Sequence, residues 1–535
     1  MTTRRRFRWG LGPAVAVIVA GSLVAGCGGS AIEGADAPSA IVDAGTGAAE
    51  TTDLTGGAEQ ADTSGAAATD AAAVSGADTA TGAAATGTAA APTGSGGAAA
   101  ATGTGAAATG GSKGKGAGAA AGAAGSSLAA AVQRTVETAP IFGGKAVCKP
   151  AHLSPVNIGN VSTLSGVLGE LFSPVRSALE TFATSQNACG GLNGHRINLI
   201  VDDDQGDPAT ASTKVQQMIQ NKKVLAFVGN IQLLTVDAVA PVIRKYGVPI
   251  LGSDLTNNTW FTNPLMFPQG SSVQAMAYGY IDAALNHFKT PNIGQVWCIE
   301  VPRACEQMER AFQELAPMMG AKVKKTIQVS ITAPSYVQQC LDLKNAGVEA
   351  LGLSFDAASQ HRFARSCTQV GYHPKVLPYP LGVGNEKQFL QGNKWLGNAY
   401  VPMNHFPWFA NSTPAEKYWQ ASIKKFNPGF TSGGTAAMGW ASGAMLVAAS
   451  AGLSAENPTT QQLLEGLWTF QGQQWTTLGG LTPPLTFGKD QNPRVPYCLY
   501  AAISNADNTG WVKAVSKPVC TDVLAPSDPQ AKARG

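Results

Sequence analysis

Four short apolar runs, at 156–160, 197–201, 224–228 and 248–251, constrain this chain more than any other feature, because a polar turn follows each and stretches of helical spacing separate them. Ser173-Pro174 opens the first of those stretches with a proline in the first turn, where no N–H bond is needed. Val175, Leu179, Phe182 and Ala183 then recur on one face until Gly190-Gly191. Asp207-Pro208 caps a second helix with Val215, Met218 and Ile219 inward, and a third runs to about Lys245. Short strands alternating with helices are βαβ units, so the sheet is parallel and the crossovers right-handed. Ligands of such sheets bind beyond the carboxyl ends of the strands. The turns at 160–170, 229–235 and 252–260 are therefore where function is expected.

The second half repeats the pattern. Strands are predicted at 293–299, 323–329, 350–354 and 376–379, separated by helices at 304–318, 335–346 and 357–370. The chain then returns through a strand at 397–401, helices at 413–426 and 436–451, and terminal strands at 484–487, 497–503 and 511–515. This order predicts an α/β protein of two doubly wound, Rossmann-like lobes with parallel sheets, joined by several parallel hinge strands that leave a cleft between them. The first lobe is expected to comprise 141–271 plus 403–476, the second 272–402 plus 477–520, and 521–535 a disordered tail.

The N-terminus reads as an export signal. Arg4-Arg5-Arg6 is a basic region, and the apolar stretch from Trp9 to Leu23 is too short to span a bilayer. Val24-Ala25-Gly26-Cys27 matches a bacterial lipobox, so residues 1–27 are expected to be a lipoprotein signal peptide with Cys27 lipidated, anchoring the chain to the outer face of the cell membrane. The run Thr3 to Phe7 also resembles a twin-arginine motif, which three arginines can mimic. Residues 28–140 are rich in Ala, Gly and Thr and hold no aromatic residue, a composition expected to stay disordered as a tether. As a flexible coil it would reach about 60 Å.

The folded remainder, about 380 residues, suits two α/β lobes. A net charge of +3 with 13% charged residues, and no basic stripe interleaved with aromatics, gives no nucleic-acid surface. Apart from Cys27, eight cysteines remain: Cys148, Cys189, Cys298, Cys305, Cys340, Cys367, Cys498 and Cys520. In an exported chain an even number points to disulfides, although eight thiols allow 105 connectivities. Local pairing is expected, 148 with 189, 298 with 305, 340 with 367 and 498 with 520; Cys340 and Cys367 lie on the helices flanking the strand at 350–354. No CxxC or clustered histidine suggests a metal, and Asp202-Asp203-Asp204 lacks calcium-loop spacing and reads as a solvated turn. No H-E-x-x-H or P-loop is present, and neither an enzyme nor a bound cofactor is expected.

Several segments together resemble a known family: Gly190-Gly191-Leu192-Asn193-Gly194-His195-Arg196, Asp202 through Pro208, Ala240-Pro241, Tyr246-Gly247-Val248-Pro249 and Pro380-Leu381-Gly382-Val383-Gly384-Asn385. Their order and spacing are similar to the branched-chain amino-acid-binding lipoproteins of ABC importers, which have the type I periplasmic binding fold. The resemblance covers most of residues 154–515 and implies two lobes closing on a small molecule, permease subunits as partners and no catalysis. A clamshell sensor for a signalling partner is the alternative it leaves.

The resemblance also implies site residues. In the family, hydroxyls and amides at the helix start after the third strand hold the ligand carboxylate, which here places Gln232 and Thr235 as donors, with Leu233 and Leu234 replacing the family's serines. Thr256 fits the loop after the fourth strand, where a turn hydroxyl bonding its own backbone is the plainer role. The family's acidic partner for a ligand ammonium falls at Leu381, and a buried ammonium without a counter-charge is costly. Pocket-wall positions fall near Leu171, Ala304 and Ala357. Leu233, Leu255, Phe355 and Leu381 would suit an apolar or carboxylate-bearing solute better than a free amino acid, while Asp254 and Asp356 offer carboxylates that more often cap turns or helices.

Overall fold

Asp207 starts its helix as its sequence context requires. Its backbone is extended, its carboxylate accepts the Thr210 amide at 2.7 Å, and Pro208 takes the first helical position of Pro208–Gln220. The computed structural model describes residues 116–166 and 168–532. The leader at 1–27, the lipidation site Cys27 and the tether up to 115 lie outside the described residues.

Two parallel sheets carry the fold. In the first, β1 (Leu153–Ser162) lies between β2 (His195–Asp203) and β3 (Ala226–Asn230), followed outward by β4 (Ile250–Ser253) and β5 (Met266–Phe267), giving the order β2-β1-β3-β4-β5. In the second, β6 (Asn292–Cys298) lies between β7 (Lys322–Val329) and β8 (Ala350–Ser354), with β9 (Lys375–Pro378) beyond. All their pairings are parallel. In each sheet the first strand is flanked by the second and the third, so the winding reverses beside it and opens a crevice at the strand ends. β3, β4 and β8 are buried along their whole length, as expected of strands covered by helices on both faces. β7 is an edge strand, and Lys322, Lys324 and Lys325 on it discourage further pairing.

The helix Gly434–Ala449 is buried at all of its 16 residues, which explains an apolar pattern without a polar face. It lies against β3, β4 and the helix Pro174–Asn187. Its approach is close: at Gly252, with φ +80°, an added Cβ would stand 1.7 Å from Ser442 Oγ. That approach and the positive φ both require glycine there.

Six expectations need correction, five of secondary structure and burial and one of a disulfide. The expected disorder of 28–140 does not hold for its last part, where Gly116–Thr138 is helical. Leu128, Val132 and Val136 recur every four residues; both valines are buried and Leu128 packs over Gly452, so alanine-rich sequence gains an apolar stripe worth docking. The tail is ordered at least to Lys532, because Asp528 is buried and accepts the hydroxyls of Ser272 at 2.7 Å and Tyr497 at 2.6 Å. The expected strand at 484–487 is only an isolated bridge at Thr486. The return strands are not parallel: β10 (Tyr400–Met403), β11 (Tyr497–Ser504) and β12 (Trp511–Thr521) form a separate antiparallel sheet. Asp204 is not solvated but buried, accepting from Thr163 at 2.7 Å, the Gly206 amide at 2.9 Å and Thr235 at 2.7 Å.

Disulfides join Cys148 to Cys189, Cys340 to Cys367 and Cys498 to Cys520. The expected fourth bond is absent. Cys298 and Cys305 are buried free thiols whose sulfurs stand 3.2 Å apart, in van der Waals contact rather than bonded.

Candidate ligand-binding site

The strand ends of both sheets converge on one cavity holding about 550 Å³ of atom-free space, its open mouth included. From the first sheet come Leu168, Leu171 and Phe172 after β1, Leu233 after β3 and Thr256 after β4. The second sheet supplies Cys298 at the end of β6, Ile331 after β7, Ser354 ending β8 with Phe355 and Asp356 beyond, and Tyr379, Leu381 and Gly382 after β9. Ala304, Cys305 and Met308 add one face of the helix Pro302–Met319, at the three- and four-residue spacing that puts side chains on one side, and Val301 joins them from the N-cap. Val273 completes the wall from the start of helix Val273–Asp282. The wall is overwhelmingly apolar with a few placed polar groups, as in most ligand cavities.

Of the residues anticipated from sequence, Leu171, Leu233, Thr256, Phe355, Asp356 and Leu381 are brought together here. Gln232, Thr235, Asp254 and Leu255 are not among the wall residues. Asp254 is fully buried and braces two loops: it accepts the Gln232 amide at 2.7 Å, the Thr256 amide at 3.0 Å and hydroxyl at 2.5 Å, and the Trp260 indole N–H at 3.2 Å. Burial raises its pKa, against the pull of these donors. Thr235 spends its hydroxyl on Asp204. Leu255 adopts φ +64° and packs over Gly270. Gln232 is buried with both amide atoms lacking a protein partner. Ala304 lines the cavity, whereas Ala357, also anticipated as a wall position, is buried in the helix behind it.

The polar groups of the wall differ in how far they are already occupied. The Thr256 hydroxyl donates to Asp254. Asp356 caps the helix Ala357–Gln369, accepting the Ser359 amide at 2.9 Å and its hydroxyl at 2.5 Å. The contact with Cys298, then burial, hold the Cys305 thiol well above its usual pKa, so it stays protonated near neutrality. Ser354 accepts from Gln295 at 3.2 Å and stands 3.5 Å from both Met308 Sδ, a weak acceptor, and the Tyr280 hydroxyl. The Tyr379 hydroxyl is buried with no protein partner, and burial, followed by the proximity of Tyr280, Asp254 and Cys305, raises its pKa well above the ordinary phenol value.

Sequence reasoning missed Ser354 and Tyr379, although both sit at the C-terminal ends of predicted strands, the position the parallel-sheet rule marks. Met308 and Val301 carried a signal only in combination with Ala304 and Cys305, as one stripe of a helix and its N-cap. Among the described residues no group of three or more acidic, histidine or cysteine side chains could hold a metal ion, and no helix is long and apolar enough to cross a membrane.

The sequence profile of one family, described as "Periplasmic binding protein", matches residues 155–507. A search of curated proteins returned no match. Among solved structures, a possible leucine/isoleucine/valine-binding protein from Rhodopirellula baltica SH 1 superposes with a TM-score of 0.58 at 16% identity, covering 68% of this chain and 98% of that one. A fatty acid ABC transporter substrate-binding protein from Thermomonospora curvata gives 0.59 at 18% identity, over 71% and 97%. A solute-binding protein from R. palustris, solved in complex with benzoate, gives 0.55 at 15% identity, over 70% and 99%. At these identities the likeness is one of fold, and it is the type I two-lobe fold.

Proposed function

The chain belongs to the periplasmic binding protein family, whose members bind solutes outside the cytoplasm without turning them over, and from that premise we propose that it is the substrate-binding lipoprotein of an ABC importer. It captures a small organic solute, amino-acid-like, carboxylate or apolar, and presents it to permease subunits while held to the membrane by a lipid on Cys27. The observation that carries this reading is the cavity whose wall is supplied by the strand ends of both sheets. A molecule there touches both lobes only when they are together, so its binding favours the closed population. The relatives named above bind branched-chain amino acids, fatty acid and benzoate by their descriptions, and those three solutes span the same chemical range.

The test is a thermal-unfolding screen of the protein against amino acids, short carboxylates, amides and apolar compounds, followed by small-angle scattering of each hit. Stabilisation accompanied by a smaller radius of gyration is expected, and Ala304→Phe, which fills the cavity, should abolish both. A protein that responds to none of the compounds, or responds equally when the cavity is filled, removes the basis of the reading. Cys27→Ala should release the chain from membranes to the soluble fraction.

A further inference from the structure

Two hydroxyl groups stand out once the cavity's hydrogen bonds are traced. The Tyr379 phenol lines the wall, is buried, and donates to nothing in the protein. A buried donor without an acceptor costs free energy that only a ligand oxygen or a water can return. Ser354 on the neighbouring strand has only long contacts for its proton, the Met308 thioether sulfur and the Tyr280 hydroxyl, each 3.5 Å away, which a closer acceptor would readily replace. Both residues line the same cavity from the ends of adjacent strands, β8 and β9.

The charges point the same way. Among the described residues that line the cavity none is Lys, Arg or His, so a carboxylate entering it would have only hydroxyls and backbone amides to offset its lost hydration. The charged group described there, Asp356, already accepts from Ser359 amide and hydroxyl as a helix cap. A charged ligand would exchange full hydration for an apolar wall, the costliest transfer available to it.

We propose that the cavity is selective for a neutral, mainly apolar molecule carrying one carbonyl oxygen, held by the hydroxyl hydrogens of Tyr379 and Ser354 against the leucine, valine and methionine side chains. This rests on the solute-capture reading and narrows it: the recognised group is an uncharged acceptor, a ketone, ester or amide, in place of the carboxylate or ammonium of an amino acid. Tyr379 and Ser354 are then the specificity-determining residues.

The experiment uses four probes of one size on the full chain at pH 7.5: acetophenone, benzoate, 1-phenylethylamine and ethylbenzene, with affinities from calorimetry. Acetophenone should bind most tightly. Tyr379→Phe should weaken it about two- to tenfold, the loss of one hydrogen bond, and leave ethylbenzene unchanged. Ser354→Ala should act in the same direction, and decides the matter with the probe ranking if the tyrosine variant fails to fold. Tighter binding of benzoate or phenylethylamine, or acetophenone binding indifferent to both substitutions, overturns the neutral-carbonyl assignment while leaving capture intact. Silence towards all four probes overturns the assignment as well, and capture itself falls only if the broad screen is also silent.

Discussion

His405 follows β10, and its behaviour in acid can be worked from its surroundings. The ring is fully buried, with Nδ1 at 3.0 Å from the Phe406 carbonyl oxygen, Nε2 without a protein partner, and the Trp408 ring centroid 5.8 Å away. Burial pushes its pKa down from 6.5 to about 4, against the weaker support of the Phe406 carbonyl. The unfolded chain therefore binds a proton in the window from 6.5 to about 4 that the folded chain refuses, and stability must fall as the pH drops through it. At pH 7.5 the ring is neutral in both states and contributes nothing to the difference. Between pH 7.5 and pH 5.0 the linkage relation gives a loss of about 2 kcal/mol, approaching about 3 kcal/mol below pH 4. The perturbation is His405→Gln, which keeps a neutral polar side chain and cannot titrate. Urea unfolding followed by tryptophan fluorescence at pH 7.5 and 5.0 reads the effect as the difference between wild type and variant. His361, also depressed by burial, and Asp254 and Glu386, raised by burial, titrate in both proteins and cancel in that difference. The wild type should lose about 2 kcal/mol more than the variant over this interval. Parallel pH dependences would refute the argument that this imidazole is held neutral by burial.

Three further outcomes follow from the packing. A fragment beginning at residue 141 should be less stable to urea than one beginning at 116 by roughly 3 kcal/mol, from the buried Val132 and Val136 and the cover they give; equal stability would mean that the N-terminal helix is not docked. Gly252→Ala should cost about 2 kcal/mol or more, because φ is +80° and the new methyl would overlap Ser442, whereas Gly247→Ala, with nothing within 4 Å, should suffer only from its positive φ. Cys298 and Cys305 should resist maleimide in the folded protein and both react on denaturation without reductant, as counted by intact mass; if neither reacts, the two sulfurs are bonded in the native protein.

How much was legible before the fold was known depends on which residues are asked. The strand positions at 156–160, 197–201 and 350–354 and the caps at Asp207 and Asp356 declare themselves, because alternation and capping are local chemistry. Leu171, Leu233, Phe355 and Leu381 were reachable too, since they lie just beyond strand ends. Gln232, Thr235, Asp254 and Leu255 occupy equally suitable loop positions, yet the wall does not include them. Nothing in the sequence near Thr235 says that its hydroxyl meets Asp204, 31 residues earlier, or that Asp254 collects donors from two loops. The N-terminal helix is a similar case: its composition describes a tether, and only the surface at Gly452 makes its valines worth burying.

Sequence alone determined the alternation of strands and helices through the two main sheets, their parallel sense and the loops from which a ligand site could be built, because periodicity, caps and connection rules act over a few residues at a time. Tertiary structure alone decided which loop side chains face the cavity and which are consumed as braces, that Cys298 and Cys305 stay apart while the other pairs join, and that Tyr379 is left with a free hydroxyl. Those outcomes depend on the competition between donors and acceptors distant in the chain, and that competition exists only once the two sheets have brought them within hydrogen-bonding distance.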